Sequence, residues 1–361
     1  MTERDELRAQ IDALDEELLR LLNRRQTLAQ AIGRIKNRSG QRTLDFQREE
    51  EVLARLMHVN PGPLSQTALR NIFREIISAS REIQAPLSVA FLGPEATFSH
   101  LAALKKFGHA TRFGPMATIR EVFEAVEKGK FQYGVVPIEN STEGVVNETL
   151  DLFADTPLHI CGEIFLEISH DLVSKTGQRQ DIEVIYTHPQ AYAQCRRWLA
   201  TYLPDIPILE VASTGLAAQK ASRNPNSAAI ASAFAAPLYD LRVVERRIED
   251  HPGNITHFFV IGPDEPGPTG KDKTSIIFSV DDVPGALYRT LRPLAERGLN
   301  MSRIVSRPIK TEAWRYRFFV DLHGHRQDQA VGQALQEIEA LSAWFKNLGS
   351  FPQAAGVEAL S

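Results

Sequence analysis

The N-terminal segment carries the pattern that most restricts how this chain can fold. Apolar residues recur at alternating intervals of three and four from Leu7 to Ile35, and no proline interrupts them. That spacing is a heptad seam on a single helix, which we predict over Asp5 to Asn37. At 1.5 Å per residue the helix is about 50 Å long, more than a small domain covers alone. The seam therefore predicts a second chain packed against it, and we expect a homodimer.

Arg25 interrupts this seam at a position where the heptad requires an apolar residue. A single polar residue there can fix the register of two helices. Alternatively, the guanidinium binds an anionic ligand, because a buried charge without a partner is unfavourable.

Two shorter helices are predicted over about Phe46 to His58 and Ser65 to Gln84. The apolar stripe of the third helix continues into Ser80 and Gln84, which indicates either a frayed helix end or the wall of a polar pocket.

Composition limits the partners of the chain. Its 361 residues are 43% hydrophobic, which suits two or three packed domains. The formal net charge of -4 gives no field for nucleic acid or an anionic membrane, so we expect neither as a partner. The charged N-terminus and the lack of a long apolar run predict neither a signal peptide nor a membrane span. Two widely spaced cysteines, Cys161 and Cys195, indicate a reducing compartment, which we interpret as the cytoplasm.

The sequence period changes from helical to β-like at Leu87. Short apolar runs such as SVAFLG, YGVVPIE and IEVIYTH alternate with helical stretches, which predicts an α/β domain with a largely parallel sheet. The Pro- and Gly-rich stretch GPDEPGPTGKDK follows as a linker. The remaining elements have the βαββαβ order of a ferredoxin-like α+β domain. The predicted boundaries are residues 1-86, 87-262, 263-273 for the linker, and 274-352.

Polar residues cluster in the α/β region at predicted helix starts, in the sequences ENSTE, TFSHLA and STGLAA. Such residues are ordinary N-caps. A helix N-terminus is also an anion site, so capping and ligand binding are compatible interpretations. The candidate side chains in these stretches are Glu139, Asn140, Ser141, Ser99, Ser213 and Thr214.

The polar residues of the helical module form an ordered set, which is Arg8, Arg25, Lys36, Asp45, Arg48, Glu49, Ser80 and Gln84. In order and spacing they resemble the ligand-binding positions of the all-helical chorismate mutase family. The resemblance implies a domain-swapped dimer in which Arg8 enters the site of the other chain. It implies that arginines bind the carboxylates of chorismate, that Lys36 and Gln84 bind the ether oxygen, and that Glu49 binds a hydroxyl. Such a pericyclic rearrangement needs no nucleophile or general base.

Stretches at predicted strand ends of the α/β region carry a second resemblance. They are GPEATFSHLA, PIENSTEGVVNETLDL, THPQAYAQC, ASTGLAA and HPGNITHFFVIG. Together they resemble prephenate dehydratase, whose α/β domain has two lobes like a periplasmic binding protein. The resemblance implies that Thr256 meets the leaving hydroxyl of prephenate, with Glu139, Asn140 and Gln190 as neighbours. The family commonly has arginine after this threonine, where the chain has His257, and strand alternation points His257 to the face opposite Thr256.

The stretch DDVPGALYRTLRPLAERGLNMSRIVSRPIK resembles the ACT regulatory domain of the dehydratases. The family binds phenylalanine between two such domains. The implied contacts here are Gly285, Ala286, Leu287, Asn300, Ser306 and Arg307. The family has glutamate before the serine, where this chain has Val305.

The three resemblances, in this order along the chain, point to the family of bifunctional chorismate mutase-prephenate dehydratases. They imply conversion of chorismate through prephenate to phenylpyruvate, with feedback inhibition by L-phenylalanine and with no cofactor or metal. Two other functions remain open. One is a monofunctional prephenate dehydratase whose helical module only dimerises, and the other is a non-catalytic protein that senses an amino acid.

Overall fold

The computed structural model describes residues 2-39, 46-309, 315-354 and 356-358. They form two compact units, one of residues up to 88 together with 107-112, and the other of the remaining residues. Within the described ranges, no helix combines the length and the apolar character needed to cross a membrane.

The first unit is built on three helices, as the sequence predicts. They are α1 (Glu3–Ser39), α2 (Phe46–Val59) and α3 (Gln66–Gln84). Ser65 caps α3, because its hydroxyl accepts a hydrogen bond from the backbone N–H of Ala68 at 3.2 Å. Leu53, Leu69 and Ile77 are buried in this unit.

The heptad seam of α1 is exposed, in contrast to these buried positions. Its leucines and isoleucines, from Leu7 to Ile35, are between 50% and 63% exposed. A continuous apolar stripe is unfavourable in water and is typical of an interaction surface. In the described part of a single chain, the seam therefore remains open to solvent.

The second unit begins with the larger lobe of a two-lobed α/β domain. Its elements are β1 (Ser88–Leu92), α4 (Phe98–Phe107), β2 (Arg112–Met116), α5 (Ile119–Glu127), β3 (Tyr133–Asn140), β4 (Gly144–Val145), α6 (Asn147–Asp155) and β5 (His159–Glu167).

The chain then forms the smaller lobe and returns to the larger one. The smaller lobe has β6 (Asp171–Ser174), β7 (Val184–Thr187), α7 (Pro189–Gln194), α8 (Arg196–Tyr202), β8 (Ile208–Glu210), α9 (Thr214–Ala221), β9 (Ser227–Ala231), α10 (Ala235–Leu238) and β10 (Arg242–Glu245). The returning strand is β11 (Ile255–Gly262).

The C-terminal region has the βαββαβ order that the sequence predicts. It consists of β12 (Asp272–Ser279), α11 (Ala286–Glu296), β13 (Met301–Pro308), β14 (Tyr316–His323), α12 (Gln329–Leu341) and β15 (Trp344–Pro352). The strands form an antiparallel sheet in the order β13-β14-β12-β15, which confirms the ferredoxin-like prediction. A short strand, β16 (Val357–Glu358), pairs with β5 of the larger lobe.

The sheets of the two lobes are mixed, so the prediction of a largely parallel sheet was wrong. The larger sheet has the order β16-β5-β11-β3-β1-β2 with β4 beside β3, and the smaller has the order β10-β6-β9-β7-β8. Strand β11 is antiparallel to β3 and β5, and β6 is antiparallel to β9 and β10. The reason is that the chain leaves the larger lobe after β5 and returns to it at β11. A strand that returns from the other lobe enters the sheet in the opposite direction.

The C-terminal sheet and the larger lobe share one apolar core. Phe259 of β11 lies 6.3 Å from Phe319 and 5.7 Å from Phe351 between ring centroids. Phe153 of α6 joins the same cluster, with its ring centroid 6.2 Å from that of Phe319. These buried aromatic contacts fix the C-terminal sheet against the back of the larger sheet.

Candidate active sites

Arg25 of α1 is directed at α3 within the same chain. Its Nη1 donates to the hydroxyl of Ser80 and lies 3.4 Å from the carbonyl oxygen of Ile76. Ser80 is 5% exposed, and burial lowers the pKa of the Arg25 guanidinium. A partly buried cation whose contacts are neutral retains the capacity to bind an anion.

Glu49 of α2 is held by a residue that the sequence analysis did not select. Arg81 of α3 is 4% exposed, and its Nη1 lies 3.1 Å from both carboxylate oxygens of Glu49. The other guanidinium nitrogen donates to the carbonyl oxygen of Phe107, which belongs to the same unit. Arg81 follows the buried Ile77 at helical spacing, so a charge on an apolar stripe was the available signal.

Gln84 of α3 lies against Gly33 of α1. A Cβ atom added to Gly33 would lie 2.8 Å from Cγ of Gln84, so the approach requires glycine. Lys36 follows Gly33 on α1 after about one turn, which brings it to the same end of the helix pair.

Two other predicted residues of the helical site, Arg8 and Arg48, do not join Arg25 in one chain. Arg8 is exposed and lies about 25 Å from Arg25 along α1, at 1.5 Å per residue. Arg48 has a 66% exposed side chain and pairs with Glu51 at 3.2 Å. Asp45 lies outside the described residues.

A cleft of about 650 Å³ separates the two lobes of the α/β domain. Its described lining residues include serine, threonine, asparagine, glutamine and histidine among apolar side chains, but no Asp, Glu, Lys or Arg. The structure brings together here the predicted residues Ser99, Asn140, Gln190, Ser213, Thr214 and Thr256. The cleft therefore offers neutral hydrogen-bonding groups in an apolar surrounding.

Thr256 and Asn140 form a hydrogen-bonded pair at the ends of β11 and β3. The side-chain N–H of Asn140 donates to Oγ1 of Thr256 at 2.8 Å. Oδ1 of Asn140 accepts from the backbone N–H of Thr142 at 3.0 Å and from that of Glu143 at 3.2 Å, which fixes the orientation of the amide. Because Thr256 accepts from Asn140, its own hydroxyl hydrogen can be directed into the cleft.

This pair is supported by three polar residues that the sequence analysis did not select, namely Gln194, Asn254 and His170. Gln194 of α7 donates to the hydroxyl of Thr142 at 3.1 Å, and its Oε1 accepts from Asn254 at 3.2 Å. The same Oε1 lies 2.8 Å from Nε2 of His170, which is 3% exposed. An oxygen must accept here, so Nε2 of His170 carries the hydrogen. Burial lowers the pKa of His170 despite this hydrogen bond and the nearby carboxylates, which keeps the ring neutral.

Helix N-termini supply further donors to the cleft. Ser213 caps α9 by accepting from Leu216 N–H at 3.0 Å, and Thr214 begins that helix. Ser99 lies in the first turn of α4 and Gln190 in the first turn of α7. Ser141 instead donates to Oδ1 of Asn254 at 3.1 Å and does not line the cleft.

Glu139 and His257 lie behind the sheet, facing the C-terminal region. The carboxylate of Glu139 is 3.3 Å from Nε of Arg303, and the predicted neighbour of Thr256 is therefore not brought to the cleft. His257 Nε2 is 3.0 Å from Oε2 of Glu163, on the face opposite Thr256 as strand alternation predicts.

The C-terminal region has a separate cavity of about 240 Å³. Gly285, Ala286 and Leu287 line it at the start of α11, and Gly285 has a φ of 76° that favours glycine. Asn300 and Ser306 are exposed and lie outside it. Arg307 pairs with Asp151 of α6 at 3.1 Å, while Val305 packs against the core shared with the larger lobe. The structure thus separates the predicted effector residues of one chain into two groups.

Three families of known proteins match the chain in succession. Residues 7–85 match the family described as chorismate mutase type II, residues 89–266 match prephenate dehydratase, and residues 274–340 match the ACT domain. A bifunctional chorismate mutase/prephenate dehydratase of Aquifex aeolicus is 44% identical over 358 residues, which cover 98% of this chain and 99% of that protein.

Solved structures resemble the α/β and C-terminal regions. A prephenate dehydratase from Arthrobacter aurescens in complex with L-Phe is 35% identical, with a TM-score of 0.68, and the match covers 75% of this chain and 93% of the other. A protein named as a quorum quenching acylase, GqqA, is 30% identical with the same TM-score of 0.68 and covers 74% of this chain and 98% of its own. A shared fold alone does not fix activity, so the assignment depends on the match over the full length. On that match, the chain belongs to the bifunctional chorismate mutase/prephenate dehydratase family, which combines an isomerase and a lyase in one polypeptide.

Proposed function

We propose that Thr256 and Asn140 carry the dehydratase step in the cleft between the lobes. The observation that supports this is the hydrogen bond from Asn140 to Thr256 at 2.8 Å, which leaves the threonine hydroxyl as a donor to a ligand. The leaving hydroxyl of prephenate would accept that hydrogen bond. Ser99, Gln190, Ser213 and Thr214 surround the remainder of the ligand.

The neutral lining of the cleft suits the electron movement of this reaction. Loss of CO2 from the ring carboxylate releases an electron pair that aromatises the ring and expels the hydroxyl group, which takes up one proton to leave as water. The reacting carboxylate loses its charge in this step, and an apolar surrounding favours that loss. Thr256 is a weak acid, so its role is hydrogen-bond donation to the departing oxygen and the proton comes ultimately from solvent.

The helical unit is proposed to rearrange chorismate, with its charged residues around a small dianion. Arg25 and, from a second chain, Arg8 would bind carboxylates, with Ser80, Arg48 and Asp45 as further ligand contacts. Lys36 and Gln84 would donate to the ether oxygen, where negative charge develops as the C–O bond breaks. Glu49, whose orientation Arg81 fixes, would accept from the hydroxyl.

A homodimer is proposed because the open seam of α1 and the distance of Arg8 from Arg25 call for the same partner. A second copy of α1 in antiparallel orientation would cover the exposed leucines and would carry its Arg8 toward the site of this chain. One assembly would thereby bury the seam and complete the mutase site.

Feedback inhibition by L-phenylalanine is proposed for the C-terminal domain. The support is the cavity at Gly285, Ala286 and Leu287, together with the likeness to a dehydratase solved with L-Phe. Three other predicted residues lie apart from that cavity in one chain, so they would contribute across two domains. They are Asn300, Ser306 and Arg307.

The proposed domain boundaries are residues 1-86, 87-262 and 274-352, with a linker at 263-273. A cytoplasmic location is proposed from the cysteine content of the sequence, which has only two widely spaced cysteines, Cys161 and Cys195.

Incubation of the purified chain with chorismate tests both activities together. Prephenate is followed by its conversion to phenylpyruvate in acid, and enzymatic phenylpyruvate by its enol absorbance in alkali. We expect both products from wild type, and prephenate alone from Thr256→Ala. Formation of phenylpyruvate by that variant at the wild-type rate would contradict the role of Thr256.

A further inference from the structure

A layer of buried charged side chains lies between the larger sheet and the C-terminal sheet. Glu163 of β5 is 2% exposed, and its Oε2 accepts from His257 and from Lys273, each at 3.0 Å. Arg303 of β13 completes the layer, with its Nε 3.3 Å from Oε2 of Glu139 and its Nη1 4.0 Å from Oδ2 of Asp321. Residues of both domains therefore neutralise one another behind the cleft.

Arg303 is the member of this layer with the longest contacts. Its side chain is 10% exposed, and its guanidinium lies over the ring of Phe319 at 5.4 Å. Its nitrogens form ion pairs with Glu139 and Asp321 but no regular hydrogen bond within the described residues. The Glu139 side chain is 40% exposed, so this ion pair is only partly buried, and its energy decreases as the two groups separate. A displacement of β13 therefore changes how strongly Glu139 is held.

Glu139 connects this layer to the reacting residues. It precedes Asn140 on β3, and the strand register pairs Glu139 with His257 and Asn140 with Thr256. The two pairs are neighbours on the same ladder, with one pair in front of the sheet and one behind it. A change in the position of Glu139 therefore acts on the backbone that aims Asn140 at Thr256.

Arg303 lies on the same strand as two of the proposed effector residues, Ser306 and Arg307. Both effector residues follow Arg303 on β13, Ser306 after three residues and Arg307 after four. The strand is at the edge of its sheet, where pairing with β14 restrains it on one side only. It can therefore shift when its exposed edge gains a partner or a ligand.

We propose that Arg303 is a positioning residue that transmits phenylalanine binding in the ACT domain to the dehydratase cleft, by changing its hold on Glu139 and thereby the Asn140–Thr256 pair. This inference rests on the proposed feedback inhibition. Coupling between two sites requires an interaction that differs between their bound and free states, and in this proposal that interaction is the Arg303–Glu139 ion pair.

The test compares phenylalanine binding with phenylalanine inhibition in the full-length Arg303→Gln protein. Binding is measured by isothermal titration and inhibition by dehydratase kcat and KM, with mutase activity as a check on folding. We expect the dissociation constant of phenylalanine to change less than about threefold and the inhibition factor to fall about tenfold, within the usual range of allosteric coupling. Arg303→Lys retains the charge and should restore part of the coupling.

Two further variants separate this role from general contact between the domains. Lys346→Gln removes another interdomain contact, in which Nζ donates to the carbonyl oxygens of Phe153, at 2.8 Å, and of Thr156, and it should leave inhibition intact. Glu139→Gln combined with Arg303→Gln should uncouple no further than Arg303→Gln alone, because both remove the same interaction.

The outcomes are distinct. Wild-type inhibition in Arg303→Gln, loss of phenylalanine binding in that variant, or equal uncoupling by Lys346→Gln would each overturn the assignment of Arg303. A wild-type enzyme that phenylalanine does not inhibit would instead overturn the proposed feedback inhibition, and the link with it.

Discussion

The helical unit and the α/β domain, each of which we propose to bind a small dicarboxylate, present residues of different charge. The helical unit presents charged residues, Arg25 and the Arg81–Glu49 pair among them, beside a seam whose apolar residues are at least half exposed in one chain. The cleft presents neutral donors and lies between two lobes of a single chain.

This difference follows the charge that each reaction develops. Rearrangement of chorismate builds negative charge on an ether oxygen, so cations nearby stabilise the transition state. Dehydration of prephenate discharges a carboxylate, so a cation beside that carboxylate would stabilise the reactant and slow the reaction. A charged site and a neutral site in one polypeptide, as we propose them, would thus suit two different transition states.

The largest expected effect tests whether the cleft works independently of the helical unit. Thr256→Ala should lower dehydratase kcat by roughly 10²-fold or more, the range seen when one positioned hydrogen-bond donor to a developing charge is removed. Thr256→Ser should retain more activity because it keeps the hydroxyl, and mutase activity should be unchanged in both. Product-specific assays decide the matter, and a parallel loss of mutase activity would show that the two sites are not independent.

The second prediction tests whether the exposed seam of α1 forms a dimer interface. Leu18 is 54% exposed in one chain, and Leu18→Glu should place a carboxylate inside the proposed dimer interface. We expect dissociation and at least a tenfold loss of mutase activity, by analogy with other buried charges at interfaces, while the dehydratase retains its KM. Sedimentation at several concentrations measures the assembly.

Asn23→Glu is the matched control, because Asn23 is exposed and lies on the opposite side of α1 from the seam. It adds the same charge and should leave both assembly and mutase activity unchanged. A monomeric wild-type protein with full mutase activity would contradict the need for a second chain.

The third prediction sharpens the electrostatic side of the comparison. Gln84 would donate a hydrogen bond to the ether oxygen at any pH, whereas glutamate donates only when protonated. Gln84→Glu should therefore lower mutase activity about tenfold at neutral pH, since the hydrogen bond is worth about 1.5 kcal/mol or more. Activity should recover as the pH falls. Identical pH profiles of kcat/KM for the variant and wild type would remove Gln84 from the site.

The sequence predicted the elements of the fold well because their patterns are local. The heptad of α1 and the βαββαβ order are visible within short windows, and the structure confirms both. The mixed sheets were missed because strand direction depends on where the chain crosses between lobes, which no local pattern records.

The candidate sites were predicted less completely, for reasons of geometry. Arg81, His170 and Gln194 make their contacts with residues distant in sequence, so spacing gave little indication of them. The prediction that Glu139 lies beside Thr256 was wrong for a local reason. Neighbouring residues on a strand point to opposite faces, so the rule that places His257 behind the sheet also separates Glu139 from Asn140.

The smallest expected effect tests the neutrality of the cleft through His170. Burial holds the pKa of His170 below its ordinary value of 6.5 in the folded chain. As the pH falls below about 6.5, the unfolded chain binds a proton that the folded chain does not, so the free energy of unfolding decreases. The slope for one such group is at most about 1.4 kcal/mol per pH unit.

His170→Asn should therefore reduce the slope with which the free energy of unfolding falls between about pH 6.5 and 5. The urea midpoint of the α/β domain measures this slope. The variant also loses the hydrogen bond to Gln194 and is less stable at pH 8. The contribution of neutral His170 is fully present above its unfolded pKa and is lost on acidification, so only the slope, not the stability at pH 8, reports on titration. His251→Asn, at an exposed position, is the control and should keep the wild-type slope. An unchanged slope in His170→Asn would mean that His170 is protonated as readily in the folded chain as in the unfolded one, and the cleft would then carry a cation below about pH 6.5.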